Sequence, residues 1–221
     1  MKFSTGLPRL DEALGGGIST KTITLIYGQE KTGKTSLALK ICALAARENS
    51  AAYVDCSGKL HPLRLSQIME ANRIDESRLY VISVENFLQQ EEVILRIHDQ
   101  GAPAPLVVFD DFTYLHRIEL TGDVRQDTSV YKRLAFQLAA LKEAAVNRDL
   151  AVIVIGQVHS IPDVGESRAV ARRILSYWSD YILKIEKEFG KGFSRVIIEK
   201  PQQDESKIIR FRVVRSGVAP V

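Results

Sequence analysis

The sequence predicts an α/β fold with a central, mostly parallel sheet flanked by helices and an antiparallel C-terminal extension. Five short runs that are apolar throughout alternate with stretches that favour helix. This order is typical of a parallel sheet covered on both faces. After about residue 180 the pattern changes, and Ile209, Phe211 and Val213 alternate with Arg210 and Arg212. Alternation of this kind indicates antiparallel strands with one face in solvent.

The predicted strands and helices alternate from residue 23 to residue 155. The strands are the apolar runs at residues 23–27, 51–54, 80–84, 106–109 and 150–155. The helices lie near residues 34–48, 62–72, 86–99 and 128–148, and the last repeats apolar residues at three- and four-residue steps. Phe189-Gly190-Lys191-Gly192-Phe193 predicts a hairpin turn between two later strands. Residues 4–18 predict one short helix that begins near Pro8 and ends at Gly15.

Length and composition predict one domain in a reducing compartment. At 221 residues the chain can bury a sizeable core, and no linker, repeat or low-complexity tract divides it. We therefore expect a single core domain over residues 1–221. No apolar run approaches the roughly 20 residues that span a membrane, and no signal peptide is visible. Cys42 and Cys56 have no metal-binding or redox spacing, so we expect a cytoplasmic protein that does not bind membranes.

The charge is distributed unevenly along the chain. Its net value is only +3, but the segment from residue 168 to the end carries 12 Lys and Arg against 6 Asp and Glu. Such polarity favours an anionic partner for the C-terminal part. A basic, solvated sheet surface explains the same counts equally well.

A phosphate-binding loop is the clearest functional motif. Residues 28–35 form a complete G-x-x-x-x-G-K-[ST] pattern between a predicted strand and a predicted helix. Backbone N–H groups of such a loop surround phosphates, the lysine adds a charge at the β- and γ-phosphates, and the threonine hydroxyl can bind Mg²⁺. We expect nucleotide contacts from Gly28, Gln29, Glu30, Lys31, Thr32, Gly33, Lys34, Thr35 and Ser36. The alternative is a chance glycine-rich turn.

Two other strand ends carry polar residues that suit the same site. Pro105-Leu106-Val107-Val108-Phe109-Asp110-Asp111 places Asp110 at the carboxyl end of a buried strand, where ligands of parallel sheets collect. A carboxylate there can hold the water shell of Mg²⁺, and Asp111 is a second carboxylate or a helix cap. Gln157 ends another strand, where its amide contacts the γ-phosphate or simply caps the strand end.

These segments together resemble the RecA/RadA family of recombinase ATPases. The resemblance is carried by L-D-x-x-L-G-G-G-I at residues 10–18, by the strands that end at Asp110 and Gln157, and by residues 110–117, 177–179 and 211–217. It is greatest for the RadB group of archaeal RadA paralogues, which lack an N-terminal DNA-binding domain, and it extends from residue 4 to about 217. The resemblance implies a RecA-like P-loop ATPase core with no separate N-terminal domain.

The resemblance also implies roles for single residues. Thr35 and Asp110 match the Mg²⁺ positions, Gln157 matches the γ-phosphate sensor, and Lys34 and Gln157 match catalytic positions. Arg64 matches the arginine that stacks on adenine, a planar cation against an aromatic face. An ordinary surface arginine is the alternative for Arg64. The implied cofactors are ATP and Mg²⁺.

One departure from the family concerns the general base. RadA-type enzymes carry Asp-Thr-Glu-Gly after the second strand, whereas this chain reads Asp55-Cys56-Ser57-Gly58. A serine hydroxyl does not accept a proton at neutral pH as a carboxylate does, and general-base assistance contributes about 10²–10⁴ in rate. We therefore expect ATP binding with weak or absent hydrolysis. Asp111 and Glu30 are the candidates for a substitute base.

Two basic segments match the DNA-binding loops of the family. The candidate DNA contacts are Arg117 and Arg125 after the Asp110 strand, and Arg168, Arg172 and Arg173 after the Gln157 strand. Arginine contacts with phosphates would give non-specific, salt-dependent binding. As the alternative, residues 169–178 form a packed helix with Val170, Ile174 and Tyr177 on one face.

Partners and assembly follow from the same resemblance. It implies RadA recombinase or other repair proteins as partners. The only Phe-x-x-Ala sequence, at residues 136–139, lies inside the predicted helix 128–148 and predicts core packing rather than a polymerisation peptide. A monomer or dimer is therefore expected instead of a filament. Lys200 occupies a position where relatives cap ATP across a subunit boundary, and in a monomer it would be a plain surface lysine.

Three functional hypotheses result. The favoured one is an ATP-binding accessory protein of DNA repair and homologous recombination that binds DNA and hydrolyses ATP weakly or not at all. The second is an active DNA-dependent ATPase that promotes strand exchange, and the third is a KaiC-like regulatory ATPase of the RecA superfamily. Ser57 argues against the second, and the lack of paired catalytic glutamates argues against the third.

Overall fold

The computed structural model describes residues 1–123, 125–157, 166–188, 192–201 and 208–221, with only the backbone for 166–170. The strands are β1 (Lys2–Phe3), β2 (Ile18–Ser19), β3 (Thr22–Gly28), β4 (Ala51–Asp55), β5 (Leu79–Ser83), β6 (Leu106–Asp110), β7 (Ala151–Gln157), β8 (Tyr181–Glu188), β9 (Phe193–Lys200), β10 (Ile209–Val214) and β11 (Gly217–Pro220). The helices are α1 (Pro8–Ala13), α2 (Lys34–Glu48), α3 (Pro62–Asn72), α4 (Phe87–Gln100), α5 (Tyr114–Glu119), α6 (Thr128–Asn147) and α7 (Glu166–Trp178), with one 3₁₀ turn at Glu76–Arg78.

A nine-stranded sheet with the order β11-β10-β9-β8-β3-β7-β6-β4-β5 organises the chain. From β8 to β5 all neighbouring strands are parallel, and β8, β9, β10 and β11 pair antiparallel in sequence. The parallel core and the antiparallel extension predicted from the sequence are both confirmed. The predicted hairpin turn falls mostly on residues outside the described ranges, but its flanking strands pair antiparallel up to Glu188 and Phe193.

Apolar cores cover both faces of the sheet. Leu25 and Ile26 are neighbours in β3, so their side chains point to opposite faces. Ile26 packs with Leu37 of α2 in one core, and Leu25 packs with Phe87 of α4 and Leu138 of α6 in the other. The strand that leads into the phosphate-binding loop therefore packs against a core on each face. This packing fixes where the loop begins.

The N-terminal helix has the predicted form. α1 carries Pro8 in its first turn, and Gly15 follows its end with a φ of +70°, a conformation that suits glycine. Asp11 anchors the preceding segment, because its Oδ1 accepts hydrogen bonds from the backbone N of Thr5 at 2.7 Å and from the Thr5 hydroxyl at 2.6 Å. None of the described helices is long and apolar enough to cross a membrane.

Two helix faces differ from the sequence predictions. Phe136 is 51% exposed on α6, so the prediction that it packs in the core is wrong. It lies two residues from both Leu134 and Leu138, and two residues turn a helix by about 200°, to the opposite face. Tyr177 is 77% exposed, so the alternative in which it shares a packed face with Ile174 is wrong for Tyr177. The packed face of α7 includes Ala171, Ile174, Leu175 and Trp178.

Candidate functional site

A cavity of about 340 Å³ opens at the carboxyl ends of β3, β4, β6 and β7. Its walls come from the phosphate-binding loop and the start of α2, from the connection between β4 and α3, and from the ends of β6 and β7. The lining residues are Glu30, Lys31, Gly33, Lys34, Thr35, Ser36, Tyr53, Asp55, Ser57, Lys59, Leu60, Asp110, Asp111 and Gln157. This is the edge at which parallel sheets bind ligands.

Two glycines allow the loop to pass between β3 and α2. A Cβ atom on Gly28 would lie 2.1 Å from the carbonyl oxygen of Ile185 in the neighbouring β8, so no side chain fits there. Gly33 precedes α2 with a φ of +97°, which glycine adopts without steric cost. The first turn of α2 then presents unpaired N–H groups at the cavity, a setting that favours anions.

Lys34 supplies a buried positive charge in the loop, whereas Lys31 is exposed. It is 7% exposed, and its ammonium group donates to the carbonyl oxygens of Gly28 at 2.9 Å and Gln29 at 2.6 Å. Burial lowers the pKa of Lys34, while the carboxylates of Asp111 and Asp110 oppose that shift. The ammonium group is thus held by weak backbone acceptors that a phosphate oxygen can replace, as a nucleotide site requires.

The predicted metal positions meet at one oxygen atom. Oδ2 of Asp110 accepts hydrogen bonds from the Thr35 hydroxyl at 2.6 Å and from the Tyr53 hydroxyl at 2.6 Å. Burial raises the pKa of Asp110, and the hydrogen bonds from Thr35 and Tyr53 lower it. Sequence reasoning missed Tyr53. The only available signal was a hydroxyl-bearing residue inside a strand that is otherwise apolar before Asp55.

The oxygen atoms of Thr35 and Asp110 fit Mg²⁺ only together with a phosphate. Among the described residues, no group of three or more His, Cys, Asp or Glu side chains could hold a metal ion. Mg²⁺ in nucleotide sites uses one or two carboxylates, phosphate oxygens and water. Thr35 and Asp110 match that arrangement, since they lie together beside the loop that would hold the phosphates.

The connection after β4 brings Ser57, which the sequence predicts at the general-base position, to the cavity. Ser57 lines the cavity, and Oδ1 of Asp55 accepts from its backbone N at 3.0 Å and from its hydroxyl at 3.2 Å. Oδ2 of Asp55 accepts from the backbone N of Leu60 at 2.9 Å. Asp55 therefore shapes this connection. Lys59, which sequence reasoning did not select, also lines the cavity, and its Nζ lies 5.4 Å from the centre of the Tyr114 ring.

A series of hydrogen-bonded side chains runs from Glu30 in the phosphate-binding loop to the residues after β6. Nε2 of Gln157 donates to Oε1 of Glu30 at 3.2 Å, and Oε1 of Gln157 accepts from Arg117 at 3.3 Å. Arg117 also donates to Oδ2 of Asp111 at 3.1 Å and to the hydroxyl of Thr113 at 2.8 Å. Arg117, selected from the sequence as a DNA contact, thus lies beside the phosphate-binding loop and is tied to its neighbours.

Arg64 lies near the start of α3, against the turn between β10 and β11. Its guanidinium donates to the carbonyl oxygens of Val214 at 2.8 Å, Gly217 at 3.1 Å and Arg215 at 3.2 Å, and to the hydroxyl of Ser36 at 3.3 Å. These contacts hold the guanidinium plane beside the first turn of α2. Stacking of Arg64 on adenine stays a prediction.

The other candidate DNA contacts lie in different surroundings. Arg125 and Arg173 are exposed, whereas the side chain of Arg168 lies outside the described residues. Arg172 donates to the Tyr27 hydroxyl at 3.3 Å and lies 3.8 Å from Glu199, so part of its charge is used within the protein. Lys200, expected to cap ATP or to lie free on the surface, donates to the carbonyl oxygen of Ser179.

The fold and the site define a P-loop nucleotide-binding protein of the RecA-like class. A family model described as Rad51 matches residues 1–221, and the chain therefore belongs to the Rad51 family. Its relatives include proteins described as DNA repair and recombination protein RadB. The one from Thermococcus gammatolerans is 34% identical over 225 residues, with 99% of each chain covered. The one from Archaeoglobus fulgidus is 32% identical over 224 residues, covering 100% of this chain and 99% of its own.

A solved structure agrees with these relatives. A crystal structure of the RadB recombinase superposes with a TM-score of 0.80 at 30% sequence identity, and the match covers 99% of each chain. The resemblance to RadB and the RecA-like fold class drawn from the sequence are thereby confirmed.

Proposed function

We propose that this protein is an accessory factor of DNA repair and homologous recombination that binds ATP with Mg²⁺, binds DNA, and hydrolyses ATP slowly or not at all. One observation carries the proposal. The cavity is lined by Lys34, Thr35 and Asp110, the residues predicted to hold the phosphates and Mg²⁺, and by Ser57, to which the resemblance assigns the general-base position.

The residues of the site suit ATP binding better than ATP hydrolysis. In the proposed complex the loop N–H groups and Lys34 hold the phosphates, while Thr35 and Asp110 hold Mg²⁺, which neutralises phosphate charge. These groups contribute positioning and electrostatic stabilisation. Position 57 offers no carboxylate to remove a proton from the attacking water. Loss of a general base slows hydrolysis by about 10²–10⁴. ATP then acts mainly as a ligand that selects a conformation.

DNA binding is the second part of the proposal. The exposed residues Arg125, Arg172 and Arg173 and the basic C-terminal part of the chain support it. The relatives described as DNA repair and recombination proteins support the same role. RadA-type recombinase or another repair protein is the proposed partner, with a monomer or dimer as the working state. Cys42 and Cys56 are free and buried, which supports a cytoplasmic location.

The test measures nucleotide affinity and turnover on the same preparation. Titration with MgATP is expected to saturate, and Lys34→Ala, which removes the buried ammonium group of the loop, is expected to abolish binding. Steady-state hydrolysis, measured with and without single-stranded DNA, is expected to stay below about 0.1 s⁻¹. Turnover of about 1 s⁻¹ or faster that DNA stimulates would contradict the accessory role.

An active ATPase is the second candidate, and one contact favours it. Glu30 lines the cavity and accepts a hydrogen bond from Gln157 at 3.2 Å, so the cavity contains a carboxylate that can act as the base in place of position 57. If turnover is fast, Glu30→Gln distinguishes the mechanisms, because the amide keeps the size of the side chain and removes the base. Membership of the Rad51 family favours both recombination roles over a KaiC-like regulator.

A further inference from the structure

The side-chain amide of Gln157 is held at both ends. Its oxygen accepts from Arg117 at 3.3 Å, and its nitrogen donates to Glu30 at 3.2 Å. A guanidinium group only donates hydrogen bonds, and a carboxylate only accepts them. Rotating the amide by 180° would set its NH₂ group against the guanidinium and its oxygen against the carboxylate. The two partners therefore fix one orientation, in which the N–H donors of Gln157 face the phosphate-binding loop.

Arg117 is itself fixed by three neighbours. Oδ2 of the buried Asp111 accepts from it at 3.1 Å, the buried Thr113 hydroxyl accepts at 2.8 Å, and the ring of Tyr114 lies 5.8 Å from its guanidinium carbon. Asp111 and Thr113 belong to the connection between β6 and α5, next to Asp110, and Tyr114 begins α5. A guanidinium has a planar array of donors, so it can hold Asp111 and Gln157 at the same time.

From this geometry we propose that Arg117 is a positioning residue for nucleotide discrimination. It keeps the amide of Gln157 turned so that the N–H donors meet the γ-phosphate of bound ATP, and ADP, which lacks that phosphate, gains nothing from them. This inference rests on the proposed nucleotide-binding function. In the free protein Glu30 accepts from the same nitrogen, and a γ-phosphate bound beside it would displace this carboxylate because two neighbouring anions repel each other.

The same contacts argue against a direct DNA role for Arg117. Both terminal nitrogens of its guanidinium donate to side chains of the protein, and its side chain is 27% exposed. Arg96, on α4, is exposed and has no part in the proposed sites. It is the matched control, because its substitution removes the same charge without touching Gln157.

The experiment compares the affinities for a non-hydrolysable ATP analogue and for ADP, both with Mg²⁺. In Arg117→Met the ratio of the two affinities is expected to fall about tenfold, with ADP binding within about twofold of wild type, and Arg96→Met is expected to keep the wild-type ratio. The double variant Arg117→Met with Gln157→Ala is expected to match Gln157→Ala alone, since Arg117 acts through Gln157.

Gln157→Glu separates orientation from folding. The new carboxylate can still accept from Arg117, but it offers no donor and repels both Glu30 and the γ-phosphate, so the preference for the ATP analogue is expected to disappear. If Arg117→Met does not fold, Arg117→Lys tests the proposal, because lysine keeps the charge but lacks the planar donor array that holds Asp111 and Gln157 together, and the affinity ratio is expected to fall in this variant too. An unchanged affinity ratio in Arg117→Met, or additive losses in the double variant, would overturn the positioning role. Failure of the wild-type protein to bind either nucleotide would instead overturn the proposed function on which it rests.

Discussion

The Tyr53 hydroxyl lies 2.6 Å from Oδ2 of Asp110, the same oxygen that accepts the hydroxyl of Thr35. Tyr53 is 1% exposed and reaches Asp110 from the neighbouring strand, so the contact is buried. Its hydrogen bond favours the ionised carboxylate in a place where burial raises the pKa of Asp110. Tyr53 therefore supports the charge that a metal ion at Asp110 would need.

Tyr53→Phe is expected to weaken Mg²⁺-dependent nucleotide binding. Removal of the hydroxyl raises the pKa of Asp110 further, and loss of a hydrogen bond to a charged group lowers the affinity for Mg²⁺ about tenfold at neutral pH. Titration of nucleotide affinity against Mg²⁺ concentration at two pH values measures this. The loss should be larger at the lower pH. Tyr80→Phe, at an exposed position of β5, is the control, and equal Mg²⁺ dependence in both variants would refute the role of Tyr53.

Ser57→Glu is expected to raise ATP hydrolysis. The substitution returns a proton acceptor to the wall of the cavity, where Ser57 lies, and general bases contribute up to about 10²–10⁴ in rate. Ser57→Gln is the matched control, because it has a similar size and accepts no proton. A rise in turnover for glutamate alone supports the assignment of position 57. Equal turnover in both variants and in the wild type would mean that position 57 is not the base position.

Two adjacent arginines are expected to differ in their effects. Arg173 is exposed, so Arg173→Ala should lower the slope of log affinity for DNA against log salt by about 1 and leave the melting temperature unchanged. Arg172 contacts the Tyr27 hydroxyl and Glu199, so Arg172→Ala should also lower the melting temperature. Salt-dependent DNA titration and thermal unfolding of both variants test this. A DNA affinity insensitive to salt would exclude phosphate contacts from either residue.

His116 is expected to make stability depend on pH. Burial lowers its pKa to about 4, with Arg117 acting in the same direction and Asp127 opposing it. Between about pH 4 and pH 6.5 the unfolded chain binds a proton that the folded chain does not, so stability is lost as the pH falls through this range. The loss amounts to roughly 3 kcal/mol at most, at 1.36 kcal/mol per pKa unit.

Urea unfolding at several pH values measures this dependence, and His116→Leu should reduce its slope. His98 provides a control within the same unfolding measurements, because its effect on stability has the opposite pH dependence. Hydrogen bonds to Asp99 and Glu143 raise its pKa, so its contribution has the opposite sign and is lost as the pH rises. An unchanged slope in His116→Leu would show that other groups titrate in this range.

The sequence could predict those parts of the site that depend on the direction in which the parallel strands run. Parallel strands bring their carboxyl ends to one edge, so Thr35 and Asp110 were expected to meet, and their side chains do meet. The positions of the inner parallel strands were predictable for a similar reason, because burial on both faces demands continuous apolar runs. The assignment of the whole chain to one core domain stays a prediction.

The remaining contacts depend on side-chain directions that no local pattern fixes. Whether Arg117 faces DNA or the nucleotide cavity depends on how α5 leaves the end of β6. The orientation of Phe136 could not be predicted from the sequence for another reason. An aromatic residue in an amphipathic helix usually packs inward, but here it lies between two positions that already face the core. Tyr53 could be placed only once the register between β4 and β6 was known.

The location of β3 has a consequence for dynamics. β3 pairs with β7 along its whole length and with β8 from Thr24 onward, and cores cover both of its faces. Its amide hydrogens are therefore expected to exchange with solvent only when the whole sheet opens. A ligand bound at the end of this strand is coupled to that global opening, so a nucleotide would slow hydrogen exchange throughout the core as well as at the loop.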